Sequence, residues 1–167
     1  MRTWTVAGGL VETPAGVLLV RNVRRGGSED WSTPGGVIDT EDASVVAGLT
    51  REVVEETGLR VTEWSGPLYE VHAHAPEMGW TMRCEVHRAV VFSGELRVAD
   101  PDGIVVEAVF VPPDDCNGLL ASCPPWVREP LAAWLSERWG PGTGRSFSYE
   151  VRGENRAALR VARTEAR

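Results

Sequence analysis

Cysteine is scarce in this sequence. Only three of its 167 residues are cysteines, Cys84, Cys116 and Cys123, and no two of them form a Cys-x-x-Cys pair. An odd number without paired spacing argues against a disulfide framework and against a zinc ribbon. We therefore expect reduced, partly buried thiols, as in the cytosol, and predict a cytoplasmic location.

Long apolar runs are also missing. No stretch of about 18 apolar residues is present, so we expect no membrane span. The first ten residues, MRTWTVAGGL, lack the apolar core of a signal peptide. We find no internal repeat, low-complexity segment or second domain, and the length suits one domain with a proper core.

Basic side chains are outnumbered by acidic ones. The chain has 17 Lys and Arg against 24 Asp and Glu, which gives a formal net charge of −7. A protein that binds a nucleic-acid polymer needs a basic surface, so this balance argues against such a partner. A nucleotide held through metal ions is compatible with it, because the ions supply the positive charge.

The most informative stretch spans residues 34–59. It begins with Pro34-Gly35-Gly36, which we interpret as a loop, and continues as a predicted helix from about residue 43 to residue 57, ended by Gly58. The helix carries Glu52, Glu55 and Glu56, whose spacings of three and four place all three carboxylates on one face.

Two interpretations of this acidic face are open from the spacing alone. Acidic helix faces are commonly just solvated. Here, however, lysine is absent from the stretch and Arg51 is its only base, so a network of ordinary ion pairs is missing. Carboxylate oxygens beside a free backbone carbonyl suit a hard cation such as Mg²⁺.

The opening PGGVID and the run REVVEETGL resemble the two ends of the Nudix box, with the spacing from Arg51 to Leu59 followed position for position. The resemblance implies an α/β/α sandwich with a mixed β-sheet. It also implies a Nudix pyrophosphohydrolase that uses Mg²⁺ or Mn²⁺ to cut a pyrophosphate linkage in a nucleoside diphosphate derivative. Candidate substrates are a sugar nucleotide, a nucleoside triphosphate or a dinucleotide. A homodimer is a further expectation from the family.

The resemblance also assigns roles within the box. Glu52, Glu55, Glu56 and the backbone carbonyl of Gly35 would bind the metal, which lowers the pKa of a bound water. Arg51 would hold a glutamate in position through a charge-assisted hydrogen bond. The general base stays open between Glu52, Glu55 and acids from loops.

One segment departs from the family pattern. Asp42 stands where the family has a glutamate, and eight residues instead of seven separate it from Arg51. The loop at residues 39–43 therefore carries one extra residue, and we expect Asp42 to act as the N-cap of the helix. This loop is the one feature that favours an alternative function, a Nudix-fold sensor that binds a nucleotide without cutting it.

Four residues outside the box are candidate substrate contacts. Arg21 is either a phosphate contact or part of a solvated strand end. Trp31 either stacks on a base or packs in the core. Asp102 and Glu107 lie in or after an acidic turn, and we predict that one of them is an additional metal ligand or base. The alternative is an ordinary β-turn, which favours Asp-Gly.

The rest of the chain predicts strands at about residues 3–11, 16–24, 60–75, 79–92 and 104–111, and a second helix at about 125–139. We assign residues 1–140 to the Nudix hydrolase domain. Residues 141–167 are expected to form a C-terminal β-hairpin extension packed on the same domain. The hairpin would complete a sheet edge, form a dimer contact or cover the site.

Overall fold

The fold is known from a computed structural model, which describes residues 1–155 and 158–165. The strands within these residues are β1 (Arg2–Leu10), β2 (Glu12–Thr13), β3 (Gly16–Val23), β4 (Glu29–Ser32), β5 (Gly35–Val37), β6 (Arg60–Ala75), β7 (Trp80–Ser93), β8 (Val105–Val111), β9 (Ser146–Arg152) and β10 (Arg160–Thr164). The α-helices are α1 (Val45–Thr57), α2 (Pro113–Leu119) and α3 (Pro125–Glu137). Two short 3-10 helices span Pro76–Met78 and Leu120–Ser122.

The strands form two sheets. The larger has six strands in the order β10-β9-β6-β7-β1-β5, and the smaller has four, with β3 paired to β2, β4 and β8. In the larger sheet β1 runs parallel to β7 and β9 runs parallel to β6, while the other pairs are antiparallel. The sheet is therefore mixed, as predicted.

Packing on both faces of the six-stranded sheet explains the sandwich. On one face, α1 inserts Leu49 and Val53 into a cluster that includes Ala7 of β1 and Ala89 of β7. On the other face, α3 contributes to a second cluster whose buried members include Leu10, Tyr69, Val71, Leu131, Trp134 and Phe147. Burial of apolar area on each face holds the layers together.

Both ends of α1 have a local cause. Ser44 has extended backbone angles, and its side chain accepts a hydrogen bond from the Ala47 N–H at 3.0 Å. Gly58 has a φ of 77° and ends the helix in the left-handed conformation. The prediction that Asp42 is the N-cap is wrong, because its carboxylate instead binds Arg51 and the Asp39 N–H.

The segment predicted as a loop at Pro34-Gly35-Gly36 is also corrected. Gly35 and Gly36 belong to β5, which pairs antiparallel with β1 through Gly8↔Gly35 and Ala7↔Gly36. Two adjacent glycines carry little strand propensity of their own. Their strand conformation comes from pairing with β1 in the tertiary structure.

The C-terminal extension forms the predicted hairpin, with β9 and β10 antiparallel. It completes the sheet edge, because β9 adds to β6 in register Val71↔Phe147. Phe147, Tyr149 and Val151 are buried by this pairing. Positions 156, 157, 166 and 167 of the predicted extension lie outside the described residues.

Two expectations from composition can be compared with the structure. All three cysteines are free, with Cys116 and Cys123 buried and Cys84 partly buried. The described residues include no helix that is long and apolar enough to cross a membrane.

Candidate active site

The most buried acid of the predicted site is Glu56, which is 8% exposed. Its carboxylate accepts a hydrogen bond from the Gly35 N–H at 3.0 Å, so the last turn of α1 is joined to β5. Burial raises the pKa of Glu56 to about 8, although the Gly35 hydrogen bond opposes this rise. The negative charges of Glu52 and Asp100 raise this pKa further.

Glu52 lies one turn earlier and contacts the second glycine. A Cβ atom on Gly36 would lie 2.9 Å from the carboxyl carbon of Glu52, so only a glycine permits this approach without a shift. Burial raises the pKa of the Glu52 carboxyl, and the positive charge of Arg51 opposes that rise. Gly35 and Gly36 therefore lie directly against the acidic face formed by Glu52, Glu55 and Glu56.

Arg51 binds two acids of this face and two acids of the loop that precedes α1. Its Nη1 lies 3.1 Å from Glu52 and 3.4 Å from Glu55, so the contact predicted for Arg51 is present. Its Nε and Nη2 donate to the Asp42 carboxylate at 3.1 and 3.0 Å, and Nη2 also lies 3.3 Å from Asp39. The paired guanidinium holds the pKa of the Asp42 carboxyl below its usual value.

The segment after β7 approaches the same end of α1. The Arg97 N–H donates to the Thr57 carbonyl at 2.8 Å, and the Ala99 N–H donates to the Glu55 carbonyl at 3.1 Å. The Asp100 carboxylate then accepts hydrogen bonds from three backbone N–H groups, those of Asp102, Ile104 and Val105. The bond from Ala99 to Glu55 brings Asp102, three residues further along, towards the acidic face, and after burial its negative charge also contributes to the raised pKa of Glu52.

The other predicted substrate contacts have structural partners. The Arg21 Nε lies 2.8 Å from Glu107, and its Nη1 lies 3.1 Å from Glu29, so Arg21 and Glu107 form ion pairs beside β3. Trp31 packs against the core cluster on the α3 side of the sheet, and its carbonyl accepts a hydrogen bond from the Cys123 thiol. Arg21 and Glu107 are therefore paired with each other, and Trp31 packs against the core.

A cavity of about 160 Å³ opens on the other side of Gly35 and Gly36. Its apolar walls come mainly from β6, β7 and α3, namely Val71, Met82, Val86, Trp126 and Val127. Ser32, Thr33, Tyr69 and Cys84 add polar atoms, and none of the described residues that line it is charged. Sequence analysis missed this cavity, because its residues are spread over several elements with no shared motif.

The donor chemistry of the acidic face fits a divalent cation. Across residues 1–155 and 158–165, no three Asp, Glu, His or Cys side chains are already clustered around one point. The oxygen ligands that Mg²⁺ prefers are nevertheless present in Glu52, Glu55 and Glu56. The raised pKa of Glu56 reflects burial first and nearby negative charge second, and a bound cation would offset both.

A sequence model of the NUDIX domain matches residues 2–135. The chain belongs to the Nudix family. Membership confirms the resemblance drawn from the box, and the assignment as a Nudix pyrophosphohydrolase follows from it. A comparison with curated proteins finds no match.

Solved structures of Nudix proteins share the fold. A MutT protein from Bacillus halodurans has a TM-score of 0.67 at 19% identity, covering 95% of this chain and 97% of that one. A MutT NUDIX hydrolase from Burkholderia pseudomallei has a TM-score of 0.58 at 25% identity, covering 68% and 86%. An ADP-ribose pyrophosphatase from Streptococcus suis has a TM-score of 0.51 at 22% identity, covering 86% and 96%. The predicted α/β/α sandwich is confirmed.

Proposed function

We propose that this Nudix enzyme is a hydrolase of a pyrophosphate linkage in a nucleoside diphosphate derivative and that it depends on Mg²⁺, for which Mn²⁺ can substitute. The observation that carries the proposal is that Gly35 and Gly36 lie between the cavity and the acidic face. These residues line the uncharged cavity, and they also contact the carboxylates of Glu56 and Glu52. A ligand with an uncharged ring and a charged phosphate chain matches that arrangement.

The uncharged cavity suits the base of a nucleotide, and the acidic face, through a bound cation, suits its phosphate chain. A base is flat and uncharged, and it gains from burial against apolar and aromatic side chains such as Val71 and Trp126. Phosphates in that cavity would lose their hydration without gaining a charged partner. The phosphate chain therefore extends past Gly36 to the acidic face.

At that face, Glu52, Glu55 and Glu56 would hold the cation together with the Gly35 carbonyl. When bound, the cation offsets phosphate charge and lowers the pKa of a water ligand. Arg51 positions Glu52 and Glu55 through its hydrogen bonds to both. Asp102, Glu52 and Glu55 are the candidate acceptors for the proton of that water.

The sensor alternative rests on the irregular loop at residues 39–43. In the structure Asp42 of that loop makes two hydrogen bonds to Arg51, and Arg51 in turn contacts Glu52 and Glu55. The loop therefore still supports the acidic face despite its extra residue. This contact favours the enzyme over the sensor.

The decisive experiment measures Mg²⁺-dependent hydrolysis of a substrate panel. The panel contains nucleoside triphosphates, ADP-ribose and a dinucleoside polyphosphate, since the similar structures include MutT proteins and an ADP-ribose pyrophosphatase. We expect Glu55→Gln and Glu56→Gln each to lower turnover by about 100-fold or more, as loss of a metal-site carboxylate does. Products are separated by anion exchange.

The matched control is Glu63→Gln, which removes an exposed carboxylate from β6. Its turnover should equal that of the unmodified enzyme. Nucleotide binding without cleavage across the whole panel would support the sensor. Wild-type turnover in the Glu56 variant would remove Glu56 from the site.

A further inference from the structure

Tyr69 of β6 is directed into the uncharged cavity. In the sheet register Tyr69 lies opposite Val86, and Val71 lies opposite Cys84, so these four side chains share one face. All four line the cavity. Tyr69 is only 4% exposed, and edge contacts with the rings of Trp139 and Phe147, at centroid distances of 6.1 and 5.8 Å, fix its ring.

The Tyr69 hydroxyl makes no hydrogen bond to the described part of the chain. Within that part, no side-chain nitrogen or oxygen is both fully buried and without a hydrogen-bond partner. The hydroxyl must therefore contact open space. Tyr149 offers a contrast, because its hydroxyl lies 3.0 Å from a Glu129 carboxylate oxygen.

Tyr69 borders two cavities, and the hydroxyl belongs to the uncharged one. The second cavity, of about 440 Å³, is lined by the five consecutive residues 66–70 and by the 142–146 segment. Consecutive residues alternate in direction along a strand, so the β6 backbone forms that wall. Tyr69 shares its face of the sheet with Val71, Cys84 and Val86, which line only the uncharged cavity, so its side chain lies on that side.

We propose that the Tyr69 hydroxyl is a specificity-determining contact that hydrogen-bonds the edge of the base in this cavity. The inference rests on the proposed function of the same site. A phenol that stays neutral can both donate and accept a hydrogen bond. The Cys84 thiol beside it is also neutral, since burial raises its pKa to about 12. The cavity therefore selects an uncharged ring with a hydrogen-bonding atom at its inserted edge.

Rings with a carbon-only edge should be rejected. Such a ring would cover the Tyr69 hydroxyl and leave it without a partner, whereas in the free enzyme the hydroxyl is open to water. Sites that hydrogen-bond a ligand discriminate in this way against analogues that lack the bonding atom. Apolar contacts from Met82 and Trp126 would hold either ring equally well.

The test compares Tyr69→Phe with Tyr149→Phe by calorimetric binding of nucleoside 5′-monophosphates without metal. We expect Tyr69→Phe to weaken the preferred nucleotide about 3- to 10-fold and to bring the affinities for different bases closer together. Binding of ribose 5-phosphate should be unchanged. Tyr149→Phe should keep the base preference of the unmodified enzyme, because its hydroxyl is already bonded to Glu129.

A second series varies the ligand. In this series one ring nitrogen of the preferred nucleoside monophosphate is replaced by C–H, one position at a time. One of these analogues should bind the unmodified enzyme more weakly than the parent nucleotide does, whereas Tyr69→Phe should bind that analogue and the parent nucleotide equally well. An unchanged base preference in Tyr69→Phe, or equal affinity for every analogue, would overturn the proposal. Base-selective binding that depends on Tyr69 without hydrolysis of any substrate would contradict the proposed function and support this inference.

Discussion

At the scale of single residues, burial and charge conflict most at Glu56. The side chain is 8% exposed and lies beside Glu52 on the same helix face. Its main compensation is one hydrogen bond from the Gly35 N–H. A stabilising structural role would not require an acid here, because an amide could accept the same hydrogen bond without the cost of a buried charge.

We predict that Glu56→Gln stabilises the metal-free protein at high pH. The pKa of Glu56 is about 8 in the folded protein against an ordinary value of 4.5. Between these values the folded state holds a proton that the unfolded state has released, so the free energy of unfolding falls as pH rises and levels off above about 8. Glu56→Gln does not lose stability in this way, so at pH 9 its free energy of unfolding should exceed that of the unmodified protein by on the order of a few kcal/mol.

Urea unfolding in EDTA at pH 5, 7 and 9 measures the effect. The two proteins should differ least at pH 5 and most at pH 9. Glu63→Gln serves as the control and should follow the unmodified protein at every pH, since Glu63 is exposed. Equal midpoints for Glu56→Gln and the unmodified protein at pH 9 would show that Glu56 ionises normally.

Two arginines show what could be predicted at this scale. The contact of Arg51 with Glu52 and Glu55 is local in sequence, within four residues on one helix, and the family resemblance led us to expect that Arg51 holds a glutamate. Arg21 was considered as a phosphate contact, but Glu107 pairs with it from 86 residues away. Such a partner follows from the pairing of β3 with β8, which no local pattern encodes.

At the scale of elements, the C-terminal end of α1 depends on Gly58. The residue adopts a φ of 77°, and a Cβ there would lie 2.7 Å from the Glu95 carbonyl oxygen and 2.9 Å from the Arg97 nitrogen. The absence of a side chain thus lets the 94–103 segment lie against the helix end. That segment carries Asp100 and Asp102 to the acidic face.

We predict that Gly58→Ala destabilises the protein by about 2–4 kcal/mol, from the left-handed backbone together with the close contacts. Turnover should also fall, because the segment with Asp102 must move away from the helix. Gly79→Ala is the matched control. Gly79 has a φ of 70° but no atom within 4 Å of an added Cβ. It should cost only about 1–2 kcal/mol and leave turnover intact.

Thermal unfolding and steady-state kinetics of the two alanine variants test this prediction. Equal losses of stability would mean that the 94–103 segment adapts freely to a side chain at Gly58. Equal turnover in the two variants would show that catalysis does not depend on the position of that segment.

At the scale of the whole molecule, the C-terminal hairpin is part of the core although the family match ends at residue 135. Phe147 is 3% exposed and contacts Tyr69, whose ring forms a wall of the uncharged cavity. Trp139 stacks on Phe147 at a centroid distance of 6.3 Å. The hairpin therefore packs against a residue that lines the cavity and helps to hold its ring in place.

We predict that Phe147→Ala costs about 3–5 kcal/mol, the usual loss for an aromatic side chain removed from a packed core. Because the hairpin shares that core, unfolding should remain a single transition. Val106→Ala, at a side chain that is 44% exposed, is the control and should change stability little. A separate early transition in calorimetry would instead make residues 141–167 an independent unit.

By itself, the sequence determined the family, the acidic face of α1 and the main strands, because each depends on residues close together in the chain. The strand predicted at residues 60–75 coincides with β6, and the three glutamates needed only helical spacing to align. Tertiary structure alone decided the strand at Gly35–Val37, the ion pair of Arg21 with Glu107, and the cavity with the Tyr69 hydroxyl. These features arise where distant segments pack together, and the free energy of that packing depends on neighbours that no local pattern specifies.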